Sequence, residues 1–347
     1  MEVSRRDLIE VVLCVVLVAA AALAHFLDVT AVLAFLVAAA AIAILARLVG
    51  TATEQLGARV GPGGAGVVQS ALGNLPELFI ALFALNRGLT RVVQAALVGS
   101  VIANSVLVLG LAFVVGGLRN GRQRIDSPLA RLIATLSVLS ASILSLPSLA
   151  HALHAPAEAH GRTLSFVCAG VLIVLFVVTL PGFLTAPGEM VMDARWTLPT
   201  TVLVLAAAGG AAAFTSDWFV SALTPATDAL HMSQDFAGLV IVAIAGNAVE
   251  NVVGVQLAAR NQPNFAVSVI VNSALQVALF LTPVLVFASL AFATTLTLVF
   301  PTLLAVSLLL AAWLGAVVIY DGESTWEEGA ILVGLYVVIA ASFWWGA

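Results

Sequence analysis

The sequence predicts an all-α polytopic membrane protein with eleven transmembrane helices. It contains two inverted repeats that have broken helices at the membrane midplane. Three observations predict this fold class: the composition, the distribution of arginine between the two ends of the apolar runs, and a motif that occurs twice. Of the 347 residues, 62% are hydrophobic and only 9% are charged, and the mean hydropathy is +1.15. Soluble domains carry roughly 25% charged residues, so a soluble domain or a nucleic-acid-binding module is excluded.

The spans are expected where about 20 mostly apolar residues lie between charged residues, Gly or Pro. They are residues 8–25, 29–49, 64–86, 90–117, 129–150, 163–186, 197–214, 237–260, 264–288, 291–319 and 328–346. The semi-polar segment 216–236 is expected to extend the seventh span. The chain then divides into an N-terminal transmembrane helix (1–28), a first half (29–186), a linker (187–196) and a second half (197–347).

The first span raises a question of processing. Its apolar run follows Arg5 and Arg6 and ends in Ala22-Leu23-Ala24, a sequence that fits a signal-peptidase site. The acidic residues at its start are untypical of a signal peptide, so an uncleaved helix is expected. Cys14 and Cys168 lie singly in apolar runs, and neither a disulfide framework, nor a zinc site, nor a cofactor is expected.

All thirteen basic residues are arginine, and eleven spans distribute them unevenly. The Arg-rich side holds Arg5, Arg6, Arg47, Arg59, Arg119, Arg122, Arg124, Arg131, Arg195 and Arg260. The Arg-poor side holds Arg87, Arg91 and Arg162. Because cytoplasmic loops carry the excess of positive charge, the N-terminus is expected in the cytoplasm and the C-terminus outside, in a plasma membrane of bacterial type.

A motif in the third span occurs again in the eighth. "GNLPELFIALFALNRG" aligns without gaps with "GNAVENVVGVQLAARN". The matched pairs are Gly73 with Gly246, Asn74 with Asn247, Glu77 with Glu250, Arg87 with Arg260 and, further on, Ser100 with Ser273. The two copies lie an odd number of spans apart, so they cross the membrane in opposite directions. Inverted repeats with broken helices and a midplane site are typical of secondary transporters.

Two carboxylates lie inside spans, Glu77 and Glu250. A charge at the bilayer centre costs about 3 kcal/mol on insertion scales, so such residues are functional by default. Asn74 and Asn247 each lie three residues before a Glu and therefore share its helix face. Spans four and nine add hydroxyl and amide oxygens from Ser100, Asn104, Ser273 and Gln276. Each of these alone would suit helix packing, but together with two carboxylates they predict a cation site.

The predicted ligands are all oxygen atoms, whereas all five histidines lie in loops or at span ends. Oxygen ligands disfavour zinc and copper and favour a hard cation such as Ca²⁺, which takes six to eight of them. The two carboxylates can hold either a divalent cation or protons, so the sequence predicts exchange of one for the other. Glu54 and Asp217, near the ends of spans two and seven, are expected to be accessory or gating residues, or simply solvated helix ends.

The paired motifs resemble the two alpha-repeats of the cation/Ca²⁺ exchanger superfamily, and specifically its Ca²⁺/H⁺ antiporter branch. "TATEQLGARVGP", "NSALQVALFLTPVLV" and "DGESTWEEGAILVGLYVVIA" also read like that branch, so the resemblance covers nearly the whole chain. It implies one extra N-terminal helix followed by two inverted five-helix repeats, eleven helices in all. It also implies a transporter, not an enzyme, that extrudes Ca²⁺ in exchange for protons by alternating access. Glu77 and Glu250 would be the central ligands and proton carriers, with the neighbouring Asn, Ser and Gln oxygens around them.

The chain departs from that branch at two places. Asn251 stands directly after the second Glu, where the branch usually has His; it keeps an oxygen ligand but cannot titrate. The acidic helix that often joins the halves has no counterpart in residues 185–196, which hold only Glu189 and Asp193. Asn251 is therefore a third accessory residue, and the pH dependence and cation selectivity stay open.

Three other functions are alternatives to this one. The nearest is the same fold exchanging Na⁺ or K⁺ for protons, or Na⁺ for Ca²⁺. A channel is disfavoured by broken helices in opposed halves, which suit alternating access. An intramembrane metalloenzyme is disfavoured because no His lies among the buried polar residues. The expected partners are Ca²⁺, protons and the lipid bilayer, and the oligomeric state is open.

Overall fold

A computed structural model describes residues 5–27, 29–184 and 194–346. These residues form α-helices joined by short connections. The helices are α1 (Arg5–Phe26), α2 (Ala31–Leu72), α3 (Leu75–Asn86), α4 (Thr90–Ile102), α5 (Leu109–Asn120), α6 (Ser127–Ala152), α7 (Gly161–Leu184), α8 (Leu198–Leu230), α9 (Gln234–Phe236), α10 (Ala243–Gly246), α11 (Ala248–Ala259), α12 (Pro263–Gln276), α13 (Thr282–Ala288), α14 (Thr302–Tyr320) and α15 (Trp326–Phe343). The all-helical prediction is confirmed.

The helices are long and apolar enough for a membrane protein. Over the described ranges, nine stretches have the length and composition to cross a bilayer, and a bent pair, Gln234–Gly246 with Glu250–Ala259, would make a tenth. The two members of that pair meet at 63°. Large apolar side chains on the outer faces are exposed, as on Leu203 and Val338, which is the surface that lipid tails cover. The chain is an integral membrane protein.

The helix breaks occur where the repeated motif lies. Asn74 separates α2 from α3 with φ −97° and ψ 21°, and Asn247 separates α10 from α11 with φ −101° and ψ 22°. Pro76 falls in the first turn of α3, where its missing N–H group costs no hydrogen bond. Val249 takes that place in the second copy, so the break does not depend on proline.

One predicted boundary is wrong in the first half. Spans 29–49 and 64–86 were expected with a loop between them, but α2 is helical throughout Ala31–Leu72. The intervening segment includes Glu54, Gln55, Leu56, Ala58 and Arg59, all good helix formers. These residues favour a helix locally, and the helix then continues through Gly61, Pro62 and Gly63, which hydropathy and propensity both mark as a loop.

Corresponding helices also contain corresponding π-helical turns. α4 continues into α5 through the π-helical turn Ala103–Val108, and α12 continues into α13 through Val277–Leu281. The alignment that places Glu77 on Glu250 places Asn104 on Val277, so the two wide turns coincide. Such turns are frequent at functional sites because they redirect a side chain within a helix.

A second predicted boundary is wrong near residue 300. The expected span 291–319 begins only at Thr302, and residues 292–301 form bends and irregular backbone. Distant side chains pair the polar backbone groups around the buried residues Leu296, Leu298 and Phe300. Ser148 donates to the carbonyl of Leu298 (2.9 Å) and accepts from the amide of Phe300 (2.7 Å). Gln94 donates to the carbonyl oxygens of Thr297 and Val299 at 2.8 and 3.1 Å.

Contacts at the two ends of the bundle support the alternating direction of the spans. On the Arg-rich side, Gln123–Arg124 (β1) pairs antiparallel with Glu323–Ser324 (β2). Arg122 there pairs with Glu323 at 2.8 Å, so the acidic loop "DGESTWEEG" meets arginine from another loop. The irregular segment 292–301 and its partners lie at the opposite end.

The structure describes only the last three residues of the linker, 194–196. Residues 187–193, which include Glu189 and Asp193, lie outside the described ranges, as do Asp28 and the first four residues. The Gln55 side chain accepts from the amides of Arg195 (2.8 Å) and Trp196 (3.1 Å), and Arg59 donates to the Trp196 carbonyl. The end of the linker is thus held against α2.

Candidate cation site

Glu77 lies at the centre of the molecule in the first turn of α3. Its residue surface is only 7% exposed. The break at Asn74 puts the N-terminus of a half-helix at this depth, and the partial positive charge of that N-terminus is favourable to a carboxylate. A buried carboxylate otherwise loses several kcal/mol of hydration, so its surroundings have to offset that cost.

Two donors bind one oxygen of Glu77 and leave the other without a partner. Ser100 Oγ donates to Oε1 at 2.7 Å, and Asn247 Nδ2 donates to the same oxygen at 2.6 Å. Glu77 Oε2 is buried and has no hydrogen-bond partner among the described residues. A buried carboxylate oxygen without a donor is a suitable ligand for a cation or a suitable place for a proton.

Asn247 joins the carboxylate to a second group of polar side chains. Its Oδ1 accepts from Ser273 Oγ at 3.0 Å and from Asn104 Nδ2 at 3.1 Å. Asn104 also donates to Ser273 Oγ at 3.3 Å, while its own Oδ1 is buried and finds no partner in the described part of the chain. Asn104 lies in the π-helical turn after α4, which aims it into this network.

Gly246 provides the room that Glu77 needs. A Cβ atom at residue 246 would lie 2.5 Å from Glu77 Cγ and 2.7 Å from Glu77 Oε1. Neither distance is possible without displacing the carboxylate. The matched glycine of the second motif therefore serves the carboxylate of the first, a role that the sequence alone did not reveal.

The second copy of the motif does not make the matching contacts. Asn74 Nδ2 reaches Gln276 Oε1 at 3.5 Å, and no hydrogen bond between described residues joins Glu250 to the Glu77 network. Glu250 lies in the first turn of α11 and is half-buried, close enough to Glu77 and Glu54 for the charges to interact. Asn251 directly follows Glu250, and its Oδ1 is buried without a hydrogen-bond partner among the described residues.

The two predicted accessory carboxylates lie at different places. Glu54 is exposed near the Arg-rich end of α2, within electrostatic range of Glu250 and Arg195. Asp217 is on α8 and pairs with Arg87 at 2.6 Å, far from the Glu77 network. Arg91 makes a second such pair with Asp235 at 3.1 Å. These two ion pairs flank the connection between α3 and α4, and the sequence offered no signal for either.

A narrow cleft leads away from Glu77 between α3 and α4. Beyond Glu77 and Ser100 it is lined by apolar side chains, among them Ile80, Ala84 and Val93. It offers about 20 Å³ to water-sized molecules, which is room for about one water molecule. It runs towards the connection that carries Arg87 and Arg91, hence towards the Arg-poor side.

The site therefore offers oxygen ligands and no soft ones. No group of three or more His, Cys, Asp or Glu side chains among the described residues could hold a metal ion. The ligands have to be mixed, with carboxylate, amide and hydroxyl oxygens from α3, α4, α11 and α12. This set suits a hard cation that binds and leaves.

The chain is similar to known proteins along nearly its whole length. The family model "Sodium/calcium exchanger protein" matches residues 30–184 and 200–345. A Ca²⁺/H⁺ antiporter of Aphanothece halophytica is 33% identical over 92% of each chain. The Ca²⁺/H⁺ antiporter ChaA of Bacillus subtilis (strain 168) is 35% identical, over 89% of this chain and 91% of its own.

Two solved structures share the fold. Native YfkE superimposes with a TM-score of 0.85 at 32% identity, over 96% of this chain and 99% of its own. The H⁺/Ca²⁺ exchanger CAX superimposes with a TM-score of 0.77 over 98% of this chain and 92% of its own, and at 15% identity it supports the fold alone. The chain belongs to the sodium/calcium exchanger protein family, as its paired motifs predicted.

Proposed function

We propose that this chain is a secondary active transporter that exchanges Ca²⁺ for H⁺ and extrudes Ca²⁺ from the cytoplasm. The observation that carries the proposal is Glu77, a buried carboxylate with one oxygen held by Ser100 and Asn247 and the other without a described partner. Such a group can exchange a proton for a cation without rebuilding the surrounding network. The two bacterial relatives named Ca²⁺/H⁺ antiporters support the choice of ions.

In this proposal Ca²⁺ binds between the two motifs. Glu77 Oε2 and Asn104 Oδ1 are buried oxygens that have no hydrogen-bond partner among the described residues, so they are the first candidate ligands. Glu250 supplies the second carboxylate by moving towards Glu77. Asn74, Asn247, Ser100, Ser273 and Gln276 complete the ligand set or hold it in place. Protons on Glu77 and Glu250 replace Ca²⁺ when the site faces the other side.

The transport cycle requires two halves of opposite orientation, residues 29–186 and 197–347, behind the N-terminal helix 1–28 and joined by the linker 187–196. The similar backbone angles at Asn74 and Asn247 and the coincident π-helical turns support this division. So do the two separately matched family segments. The eleventh crossing is the last part of α2 together with α3.

We assign gating roles to residues at the ends of the long helices. The Arg87–Asp217 pair ties α3 to α8 on the Arg-poor side, where their contact is extensive. The matched Arg260 is exposed and forms no ion pair with a described carboxylate, and α11 contacts α2 less extensively. This asymmetry fits a molecule closed on the Arg-poor side, with Glu54 and Asn251 along the route from the other side to Glu250.

The positive-inside rule gives the direction of transport. It puts the Arg-rich side, with Glu54 and Arg195, in the cytoplasm, and the cleft beside Glu77 towards the outside. The N-terminus is then cytoplasmic and the C-terminus external, in a bacterial plasma membrane. Ca²⁺ enters from the cytoplasm, and protons enter from outside.

Exchange of Na⁺ or K⁺ for H⁺, or of Na⁺ for Ca²⁺, is a second candidate within the same fold. Asn251 is the residue that favours it, because it stands beside Glu250 where the Ca²⁺/H⁺ antiporter branch usually has His, so the groups around the second carboxylate differ from those of that branch. The description of the family as sodium/calcium exchanger proteins also supports it.

The two candidates are separated by transport in proteoliposomes that contain the purified chain. Vesicles acidified inside are diluted into Ca²⁺, Na⁺, K⁺ or Mn²⁺, and a trapped pH dye reports proton efflux. Ca²⁺ exchange predicts alkalinisation with Ca²⁺ that excess Na⁺ or K⁺ leaves unchanged. Alkalinisation of the vesicle interior with Na⁺ or K⁺ alone, and none with Ca²⁺, would support cation exchange of the second kind and contradict Ca²⁺/H⁺ exchange.

A further inference from the structure

A groove lies on the outer face of the bundle, away from the cation site. It runs between the first turns of α6 and the last turns of α14 and encloses about 310 Å³. Its walls are Ala134, Thr135, Val138, Trp313, Ala316, Val317 and Tyr320. The volume is at the lower end of the roughly 300–1,000 Å³ typical of ligand pockets. Trp313 is 59% exposed and Val317 is 50% exposed, so the groove opens where lipid covers the protein.

The mouth of the groove carries a positive charge. The guanidinium group of Arg131 stacks over the ring of Tyr320, 5.9 Å from its centroid. Arg131 is exposed and forms no ion pair with a carboxylate in the described ranges. Both residues are at the Arg-rich ends of their helices, which the positive-inside rule puts beside the headgroups of the cytoplasmic leaflet. A stacked arginine is held in one orientation, ready to bind an anion.

We propose that this groove binds an acidic phospholipid of the cytoplasmic leaflet. Its phosphate pairs with Arg131, and the upper part of one acyl chain lies along the apolar walls towards Trp313. Basic pockets between transmembrane helices on the cytoplasmic side are recognised sites for anionic lipid headgroups. The groove is long enough for this, because Tyr320 and Trp313 are two helical turns apart, about 10 Å along the helix axis. The inference concerns lipid binding and does not depend on the ion transported.

The positive charge of Arg131 at the mouth favours an anionic lipid over a second copy of the chain as the occupant of the groove. A second copy of the chain would bury the exposed Trp313, but it would also have to cover Arg131 and supply it with an anion. An anionic lipid supplies that charge and fills the groove at once. Self-association is therefore the competing outcome, and the experiment has to detect dimers or larger assemblies as well as bound lipid.

Arg162 provides a matched control. It stacks over Phe166, with 5.8 Å from the guanidinium carbon to the ring centroid, at the Arg-poor end of α7. The contact is of the same kind, but it faces the opposite leaflet and is no part of the groove. Removing either arginine removes one exposed charge and one cation–π contact, so only the location differs.

Native mass spectrometry of the purified chain, delipidated and then incubated with phosphatidylglycerol or phosphatidylcholine, tests the proposal. The parent is expected to retain phosphatidylglycerol over phosphatidylcholine. Arg131→Gln should reduce phosphatidylglycerol retention at least fivefold, whereas Arg162→Gln and Arg131→Lys should largely keep it. Thr135→Trp, which fills the groove from its exposed wall, should also release the lipid. Circular dichroism verifies that each variant is folded.

Equal retention by Arg131→Gln and Arg162→Gln would overturn the proposal, as would equal retention of the two lipids by the parent. A dimeric or larger mass that disappears in Thr135→Trp while lipid retention is unchanged would assign the groove to a second copy instead. Because no transport is measured, failure here is separable from failure of Ca²⁺ exchange.

Discussion

At the scale of single residues, the site consists of a few polar groups around one carboxylate. Each net hydrogen bond contributes about 0.5–1.5 kcal/mol, and bonds to charged groups about 1.5–3 kcal/mol. The Ser100 and Asn247 bonds to Glu77 Oε1 therefore hold the carboxylate against a substantial hydration loss. The other oxygen stays available, which is the chemical basis of the proposed exchange.

Replacing Gly246 with Ala should displace Glu77. The new Cβ would lie 2.5 Å from Glu77 Cγ, so the side chain has to shift and weaken its bond with Asn247. Loss of about one charged hydrogen bond corresponds to a tenfold or larger fall in Ca²⁺ affinity. Isothermal titration with Ca²⁺ in detergent measures it.

Gly170→Ala and Gly334→Ala are the controls for this substitution. Both glycines are helical, and a Cβ at either meets nothing within 4 Å. Alanine there should keep the Ca²⁺ affinity and slightly raise stability, because it lowers the entropy of the unfolded chain. If Gly246→Ala binds Ca²⁺ as tightly as these variants do, the close contact with Glu77 is functionally irrelevant.

At the scale of elements, side chains satisfy the irregular backbone that precedes α14. Residues 292–301 form bends and irregular backbone, and the backbone groups around the buried Leu296, Leu298 and Phe300 need partners within the protein. Ser148, Ser165 and Gln94 come from three different helices and supply the missing donors and acceptors. The segment is in this way fixed against α4, α6 and α7 on the Arg-poor side.

Ser148→Ala should destabilise the fold measurably. It leaves the Leu298 carbonyl and the Phe300 amide without their partner, and a buried unsatisfied group costs about 1–3 kcal/mol. The apparent melting temperature in detergent should fall. Ser142→Ala, on the same helix, removes only a bond to the Val138 carbonyl one turn back and should change it little. Equal melting temperatures would mean that Ser148 does not hold the irregular segment 292–301 in place.

The Arg87–Asp217 pair should bias the molecule towards closure on the Arg-poor side. Its partners are 38% and 39% exposed, and exposed pairs contribute about 0.2–1 kcal/mol. Arg87→Gln should therefore raise labelling of a cysteine placed at Ala84, in the cleft, by up to about fivefold. The label is a membrane-impermeant maleimide, applied from outside to a background without Cys14 and Cys168.

Two further variants make that test specific. The exchanged pair Arg87→Asp with Asp217→Arg should return labelling to the parental level. Arg122→Gln breaks an ion pair with Glu323 on the Arg-rich side and should leave labelling unchanged. Labelling that rises equally in Arg122→Gln and Arg87→Gln would show that the Arg87 pair has no gating role.

At the scale of the whole molecule, hydropathy predicted the helices well, because lipid forces each span to satisfy its own backbone. The repeated Gly-Asn-x-x-Glu pattern predicted that polar residues of the two halves meet, and Glu77, Ser100, Asn104, Asn247 and Ser273 do share one hydrogen-bond network. Hydropathy could not predict residues 292–301, since it reports burial and not backbone conformation. Hydropathy also could not predict which side chains pair with this segment, because those side chains come from spans far away in the chain.

The asymmetry of the site was also beyond the sequence. Two matched motifs predict equal roles for Glu77 and Glu250, yet among the described residues Glu77 alone of the two accepts a hydrogen bond from the other half, from Asn247. In any single state of an alternating-access transporter, the two repeats differ in conformation, so matched residues have different surroundings. We therefore interpret the half-buried Glu250 as the mobile carboxylate, which closes on the cation from the Arg-rich side.

The most direct measurement of the central claim is Ca²⁺ uptake into proteoliposomes that are acidic inside. The parent should accumulate Ca²⁺ only while the pH gradient lasts, and Glu77→Gln and Glu250→Gln should each abolish accumulation. Glu327→Gln, which removes an exposed carboxylate at the start of α15, should transport like the parent. Uptake at the parental rate in Glu77→Gln or Glu250→Gln, or uptake that does not depend on the pH gradient, would contradict the account.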